Sequence, residues 1–269
     1  MPSGLEGAIF DIDGVLVASP HERAWRESLR ELMEGDWRGI RDQTSWTPEA
    51  FTPQVYERTM SGKPRMSGAR AALDYFKVPD ADARVGTYAD RKQAMVVALI
   101  EAGEFEAYPD ALRFILAVRA AGIRVAAASS SKNAKLFLGQ IRLDTFAEQQ
   151  GRSYDFVTPG LSLLALFDAD VSGRDFAHGK PDPEIFLTAA AELDTPPQRC
   201  FVIEDAVSGI QAAKAGDMAA LGVARAGDAE MLARADADLV VTSLDDVDVE
   251  RLVDGALATR SDSKVPRLV

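Results

Sequence analysis

Two pairs of acidic residues follow apolar runs, and their positions could bring four carboxylates to one site. Asp11 and Asp13 come directly after the run Gly7–Phe10. Glu204 and Asp205 come directly after a second apolar run. Both runs are typical of buried strands in a parallel sheet, whose carboxyl ends share one edge. Four carboxylates meeting there would suit a hard divalent cation such as Mg²⁺. Alternatively, the first pair are solvated turn residues and the second pair stabilise a helix N-terminus.

A serine-rich segment follows a third apolar run, at residues 123–128, and could bind phosphate. Hydroxyl and backbone N–H groups at a strand-to-helix turn can form such a site, although serines also cap helices without binding a ligand. The candidate residues are Ser129, Ser130, Lys132 and Asn133.

Lys180 lies between Gly179 and Pro181, just ahead of a predicted helix that begins near Glu184. Held in such a loop, its ammonium could offset the charge of a carboxylate or a phosphate. The alternative is an exposed lysine in a proline-rich loop.

The elements that must position these residues are apolar runs separated by helical patterns. Strands that alternate with helices indicate an α/β fold with a doubly wound, mostly parallel sheet, whose carboxyl-end loops form the active site. Besides the first run, the predicted strands are at 123–128, 167–171, 200–203, 219–223 and 239–241.

The domain organisation follows from where strand-like runs are missing. The interval 18–107 has amphipathic helical patterns and no strand-like run, so we expect a helical domain inserted after the first strand. The α/β core would comprise 1–17 and 108–257, followed by a frayed tail at 258–269. Residues 144–166 are too many for a simple connection, and we interpret them as an elaboration of the core.

Composition excludes several classes of function. The chain has 269 residues, with 42 acidic against 30 basic residues and a net charge of −12, so nucleic acid and anionic membranes are not expected partners. Two histidines cannot form a site of several histidine ligands, and one cysteine cannot form an internal disulfide. No apolar run reaches the roughly 20 residues needed to span a bilayer, and the N-terminus is unlike a signal peptide. We therefore expect a cytoplasmic protein.

The order of these motifs along the chain resembles the haloacid dehalogenase-like (HAD) superfamily. Aspartates after the first strand, serine after a middle strand, lysine before a helix and an acidic pair after a later strand occur in that family's order, over roughly residues 7–243. The resemblance implies a HAD-like Rossmannoid core, a helical cap formed by the insertion, and phosphoryl transfer as the reaction.

The resemblance also implies roles for the core residues. Asp11 would be the nucleophile that forms an aspartyl phosphate, and Asp13 the general acid and base. Ser129 and Lys180 would hold the transferring phosphoryl group.

Mg²⁺ is the cofactor that the resemblance implies. Its ligands would be the Asp11 side chain, the Asp13 backbone carbonyl and Asp205, with Glu204 assisting. Dehalogenating members need no metal and generally lack an aspartate at the position of Asp13, so that reaction is not expected. A phosphonate-cleaving branch uses a cap lysine, but the surroundings of Lys63 match that branch poorly.

Within the superfamily, the cap segments are most similar to β-phosphoglucomutase and its sugar-phosphatase relatives. The resemblance implies that His21 contacts the acid/base aspartate, that Arg65 in the segment 62–65 binds phosphate, and that Lys92 discriminates substrates. The linker from the acid/base aspartate to His21 is shorter than in the mutase, and residues 144–166 have no counterpart there.

The expected function is Mg²⁺-dependent phosphoryl transfer on a small phosphorylated metabolite, with hydrolysis of a sugar phosphate as the first choice. A phosphohexomutase is the alternative. A catalytically silent binding protein is a third hypothesis, which the complete set of motif residues argues against. The protein would be a monomer or a small homo-oligomer.

Overall fold

The computed structural model describes residues 4–61, 63–225 and 227–262. The chain divides into two compact units: residues 4–18 with 106–262 form the first, and Ser19–Phe105 form the second. The boundaries expected from sequence were 18–107 for the insertion and 108–257 for the second part of the core.

The first unit is built on a parallel sheet of six strands in the order β5-β4-β1-β6-β7-β8, and a separate antiparallel pair joins β2 to β3. Each of the predicted runs contributes a strand, so the α/β fold with a doubly wound parallel sheet is confirmed. The strands are β1 (Gly7–Phe10), β2 (Val17–Ala18), β3 (Glu106–Ala107), β4 (Arg124–Ala127), β5 (Ala169–Asp170), β6 (Cys200–Glu204), β7 (Ala219–Val223) and β8 (Leu239–Val241).

The helices divide between the units. In the second unit they are α1 (His21–Glu34), α2 (Pro53–Thr59), α3 (Arg65–Tyr75) and α4 (Ala81–Glu101), with 3₁₀ turns at Arg38–Gln43 and Pro48–Ala50. In the first unit they are α5 (Pro109–Ala120), α6 (Ala134–Gln140), α7 (Leu143–Gln149), α8 (Leu163–Leu166), α9 (Glu184–Glu192), α10 (Val207–Ala215), α11 (Ala229–Arg234) and α12 (Val249–Val253), with 3₁₀ turns at Pro197–Arg199 and Leu244–Asp246.

The register of the central strands positions the acidic residues. All residues of β1 and β6 are buried, because central parallel strands are covered on both faces and therefore consist of continuous apolar runs. Phe10 of β1 aligns with Ile203 of β6 on one side and with Ala127 of β4 on the other. Asp11 and Glu204, the next residues along their chains, therefore meet at the carboxyl edge of the sheet, where the strand order reverses direction.

The second unit is a helical bundle whose core includes the apolar face of α1. Its buried residues recur at helical spacing, and Trp25 packs edge-on against Tyr88 of α4 with ring centres 5.1 Å apart. The Tyr88 hydroxyl donates to the Trp25 carbonyl at 2.9 Å, so its one polar group is satisfied. Residues 19–61 and 63–105 contain no strand.

Residues 258–262, the described part of the expected tail, have backbone contacts with the turn before α12. Thr259 pairs with Val247 in an isolated bridge, and the Arg260 backbone N–H donates to Asp246 at 2.8 Å. Fraying of residues 258–269 stays a prediction. The remainder of the predicted tail, residues 263–269, lies outside the described residues.

The elaboration at 144–166 contains most of α7 and all of α8, and its ends are held together. Arg142 forms a bridge with Ser162, and the Asp144 carboxylate accepts hydrogen bonds from the Arg142 guanidinium and the Gly160 N–H.

In the described part of the chain, no helix is long and apolar enough to cross a membrane.

Candidate active site

Asp11 lies at the end of β1 and is almost completely buried, with 7% of its surface exposed. Its backbone N–H donates to the Ile203 carbonyl at 3.0 Å, which continues the pairing of β1 with β6. Its Oδ1 atom accepts a hydrogen bond from the Lys180 ammonium at 2.6 Å. The carboxylate is therefore fixed by a strand end and by an ion pair.

Lys180 joins carboxylates from two neighbouring strands. Besides Asp11, its ammonium contacts Glu204, and it lies 4.8 Å from the centre of the Phe186 ring. Glu204 is 1% exposed, and its second oxygen accepts from the Ala206 N–H at 3.0 Å. The ammonium therefore lies between two carboxylates that are shielded from solvent, which strengthens its attraction to both.

Three carboxylates converge around this lysine, and we call Asp11, Glu204 and Asp205 the acidic cluster. One oxygen atom from each lies within 4.8 Å of the other two. Burial, opposed by Lys180 and reinforced by the neighbouring carboxylates, raises the pKa of Asp11 to about 7. Burial, with Glu204 and Asp11 beside it, raises the pKa of Asp205 to about 8. One ammonium does not balance three acids, so the cluster has the oxygen donors and the excess negative charge that fit a divalent cation.

Two glycines leave the space that these carboxylates occupy. Gly14, at φ +84°, follows Asp13, and a Cβ atom there would overlap the Asp205 carboxylate. A Cβ atom at Gly209 in α10 would overlap the Glu204 carboxyl group. Close approach of side chains to the backbone therefore requires glycine at both positions.

The serine-rich segment follows β4 at the same edge of the sheet. The Ser129 hydroxyl is 3% exposed and accepts from the Ser131 N–H at 3.1 Å, which orients its lone pairs. Asn133 is also buried, whereas Ser130 is exposed. Lys132 donates to the Gly173 carbonyl at 2.8 Å and pairs with Asp175 at 2.5 Å. The structure therefore pairs Lys132 with Asp175.

Asp13 lies in the turn between β1 and β2. It bridges to Val17, and the following residue, Gly14, donates its N–H to the Val17 carbonyl at 2.8 Å. Gly14 also touches Asp205, so this turn borders the acidic cluster.

The remaining site candidates lie in the second unit. Lys92 of α4 is buried, with its ammonium 3.5 Å from the His21 Nδ1 atom and 4.9 Å from the centre of the Trp25 ring. Arg65 begins α3, is 44% exposed, and lies 3.9 Å from Asp90. The structure thus brings His21 and Lys92 together within this unit. Gly62, which precedes Arg65 in the cap motif, lies outside the described residues.

Comparison with known proteins identifies the family. The profile of the haloacid dehalogenase-like hydrolase family matches residues 5–217. The chain belongs to this family. The beta-phosphoglucomutase of Mycobacterium tuberculosis is 31% identical over 263 residues, which cover 91% of this chain and 92% of that protein. The crystal structure of an archaeal beta-phosphoglucomutase from Pyrococcus sp. strain ST 04 has a TM-score of 0.65 and 30% identity, covering 92% of this chain and 97% of that one. Validoxylamine A 7'-phosphate phosphatase of Streptomyces hygroscopicus is 42% identical over 76 residues, or 28% of this chain and 36% of that protein.

Membership in the haloacid dehalogenase-like family confirms the predicted resemblance and the class of enzyme. The chain is an enzyme of the phosphatase or phosphomutase type, and its relatives include beta-phosphoglucomutases along almost their whole length. The archaeal beta-phosphoglucomutase structure shares the fold of this chain.

One contributor near the site was missed by the sequence analysis. Arg225 donates to the Val15 carbonyl in the turn after Asp13 at 3.3 Å and to the Asp110 carboxylate at 2.9 Å. Its guanidinium also lies 4.0 Å from the centre of the Tyr108 ring. Its position soon after β7, at the same sheet edge as the other motifs, is the signal that could have identified it.

Proposed function

We propose that the protein is a Mg²⁺-dependent phosphatase that removes phosphate from a sugar phosphate through a phosphorylated Asp11. The observation that carries this proposal is the convergence of Asp11, Glu204 and Asp205 around the buried ammonium of Lys180. A nucleophilic carboxylate must approach an anionic phosphate, so neighbouring positive charge is the first requirement of the reaction.

Each step of the proposed reaction has a residue to perform it. A carboxylate oxygen of Asp11 forms a bond to phosphorus, the ester P–O bond breaks, and the leaving sugar oxygen takes a proton from Asp13. Asp13 then removes a proton from water, which attacks phosphorus and releases inorganic phosphate and the Asp11 carboxylate. Lys180 and the Ser129 hydroxyl hold the phosphoryl oxygens throughout.

Mg²⁺ is proposed as the cofactor because the acidic cluster fits it. The Asp11 side chain, Asp205 and the Asp13 backbone carbonyl would hold the ion, with Glu204 assisting. When bound, it would neutralise charge on the transferring phosphoryl group.

A phosphohexomutase is the second candidate, in which a second sugar phosphate replaces water as the acceptor. The similarity to beta-phosphoglucomutases over more than nine-tenths of the chain favours it. The burial of Lys92 beside His21 also favours it. A buried cation that contacts the substrate's sugar would make the enzyme selective, which suits a mutase better than a general phosphatase. In either reaction we propose sugar recognition for His21, Arg65 and Lys92, with Ser130, Lys132 and Asn133 as further binding residues. For Lys132, binding the substrate would require its ammonium to leave Asp175.

The first experiment tests phosphoryl transfer itself. We expect Mg²⁺-dependent release of p-nitrophenol from p-nitrophenyl phosphate, lost on chelation of the metal and lost in Asp11→Asn. Asp194→Asn is the matched control, because Asp194 is an exposed aspartate of the same unit at φ 49°, a conformation that asparagine tolerates. Full activity in Asp11→Asn would refute the proposal.

The second experiment separates the two reactions. The enzyme is given β-glucose 1-phosphate with a trace of the 1,6-bisphosphate. Stoichiometric inorganic phosphate identifies a hydrolase, whereas glucose 6-phosphate formed without it identifies a mutase.

A further inference from the structure

Three arginines border a cavity of about 260 Å³ in the first unit, and we call it the arginine pocket. Arg113 comes from α5, Arg152 from the elaboration between α7 and α8, and Arg260 from the segment after α12. None of the residues that line the pocket belongs to the acidic cluster or to the other proposed site residues. It therefore needs an explanation of its own.

The charges of this pocket are poorly compensated. Asp245 is its one acidic lining residue, and it is occupied by Arg113, whose Nε and terminal nitrogen bind its two oxygens at 2.9 Å and 2.6 Å. Arg260 donates from Nε to the neutral Val247 carbonyl at 3.3 Å. Across residues 4–61, 63–225 and 227–262, neither Arg152 nor Arg260 has an ion pair.

Carboxylates are abundant in this chain, with 42 acidic residues against 30 basic ones. Many of its arginines form ion pairs, such as Arg23 with Glu104 and Arg174 with Glu192. Three guanidiniums and one carboxylate line this cavity, so its net positive charge favours the binding of an anion. A guanidinium also presents a planar fork of donors that matches phosphate oxygens.

The remaining walls indicate the size and nature of the anion. Phe114 and Leu244 are buried and form an apolar wall with Ala117 and Val249. The volume lies just below the roughly 300–1,000 Å³ of pockets for drug-sized ligands, so the occupant is smaller than these. A small phosphate monoester fits both the charged and the apolar walls. Its phosphate group would contact the guanidiniums, and its short carbon skeleton would lie against the apolar wall.

We propose that the arginine pocket is a second ligand site, which binds a small phosphate monoester through Arg152 and Arg260. Its position is independent of phosphoryl transfer at Asp11. The elaboration at 144–166, which the cap and core motifs leave without a role, supplies Arg152, one of the two guanidiniums proposed to bind the ligand.

Isothermal titration with inorganic phosphate as the probe tests the site. We expect two classes of binding site in the wild type, of which the double variant Arg152→Gln/Arg260→Gln loses one, with at least a tenfold weaker association. The matched control is Arg30→Gln/Arg234→Gln, which removes the same charge from exposed arginines that are already paired. Equal isotherms for wild type and Arg152→Gln/Arg260→Gln would overturn the proposal.

Two further experiments define the ligand and distinguish the arginine pocket from the site at Asp11. Arg152→Lys/Arg260→Lys keeps the charge without the planar fork, and we expect it to bind phosphate more weakly than the wild type but better than the glutamine variant. Glycerol 3-phosphate should compete for the arginine-dependent class, whereas stronger competition by citrate would overturn the assignment to a phosphate monoester. The arginine-dependent class should persist in Asp11→Asn, so its presence or absence does not depend on the proposed catalysis.

Discussion

The acidic cluster and the arginine pocket lie in the same unit but hold their charges in opposite ways. The acidic cluster holds two buried carboxylates and the partly buried Asp205 around one lysine whose side chain is 12% exposed. In the arginine pocket, Arg152 and Arg260 are exposed, and Arg113 pairs with Asp245. Attraction between charges grows as water is excluded, so each member of the first set depends strongly on the others, whereas the members of the second are screened by solvent.

This difference means that the same kind of substitution should have large effects in one region and small effects in the other. Removing one charge from the acidic cluster leaves buried partners without compensation. Removing one charge from the arginine pocket exposes its partner to water.

Replacing Lys180 by methionine should have the largest effect. The variant keeps the length of the side chain but leaves Asp11 and Glu204 without their shared cation. We expect turnover of an aryl phosphate to fall by about 10²–10³-fold, the range measured when one stabilising donor is removed from an active site. Lys135→Met is the control, because Lys135 is 62% exposed and lies 3.6 Å from its partner Asp170. Circular dichroism establishes that both variants are folded, and activity within threefold of wild type in Lys180→Met would contradict the prediction.

Filling the space beside Glu204 should destabilise the protein without removing any charge. In Gly209→Ala the new methyl group overlaps the Glu204 carboxyl group, and such overpacking costs about 1–3 kcal/mol of unfolding free energy. Gly139→Ala in α6 is the matched helix control, because its Cβ atom has no neighbour within 4 Å. That variant should be more stable by up to about 1 kcal/mol, since alanine favours the helix. Urea unfolding measures both, and equal shifts in the two variants would show that the space at Gly209 is not needed.

The contrast also explains which parts could be predicted from sequence. Asp11 and Glu204 each directly follow a continuous apolar run, so strand ends and parallel register were enough to predict their meeting. The arginine pocket combines a helix, an elaboration and a segment expected to be frayed, and no periodic pattern links residues so far apart. Arg260 was not identified because it lies in the segment expected to be frayed. The hydrogen bond from its backbone N–H to an earlier turn cannot be predicted from the hydropathy pattern.

Individual side-chain partners were the other limit. Lys132 belongs to a serine-rich motif that suggests phosphate binding, but the structure pairs it with Asp175, and only folding brings these two side chains together. The contact of Lys92 with His21 depends in the same way on how two helices pack. The sequence therefore predicted the sheet edge and the residues at strand ends. It did not predict the partners of long, flexible side chains, because these depend on the folded structure.

The Asp110 side chain is 10% exposed and pairs with Arg225, and its contribution to the free energy of unfolding should depend on pH. Burial favours a higher pKa, but hydrogen bonds from Arg225, the Leu244 N–H and Ser243 outweigh it and hold the pKa of Asp110 below 3.8. A carboxyl group with a lowered pKa in the folded state stabilises the protein above its unfolded pKa, and that stabilisation is lost as the pH falls through the folded value. Asp110→Asn should therefore cost about 1–2 kcal/mol at pH 7 and progressively less below about pH 4. Urea unfolding at both pH values measures the difference, and a cost that does not change with pH would contradict it.

Asp245→Asn should have the smallest effect on stability and an opposite effect on ligand binding. The Asp245 side chain is 46% exposed, so loss of its pairing with Arg113 should cost less than about 1 kcal/mol. The arginine pocket would lose its one carboxylate, and phosphate should bind severalfold more tightly because a third guanidinium becomes available. Glu230→Gln, which releases an exposed arginine outside the pocket, should leave phosphate binding unchanged. Weaker phosphate binding in Asp245→Asn would mean that Asp245 orients Arg113 for the ligand, and the charge argument would fail. Glu204→Gln removes the same charge from the acidic cluster, where we expect turnover to fall, because Glu204 pairs with the Lys180 ammonium.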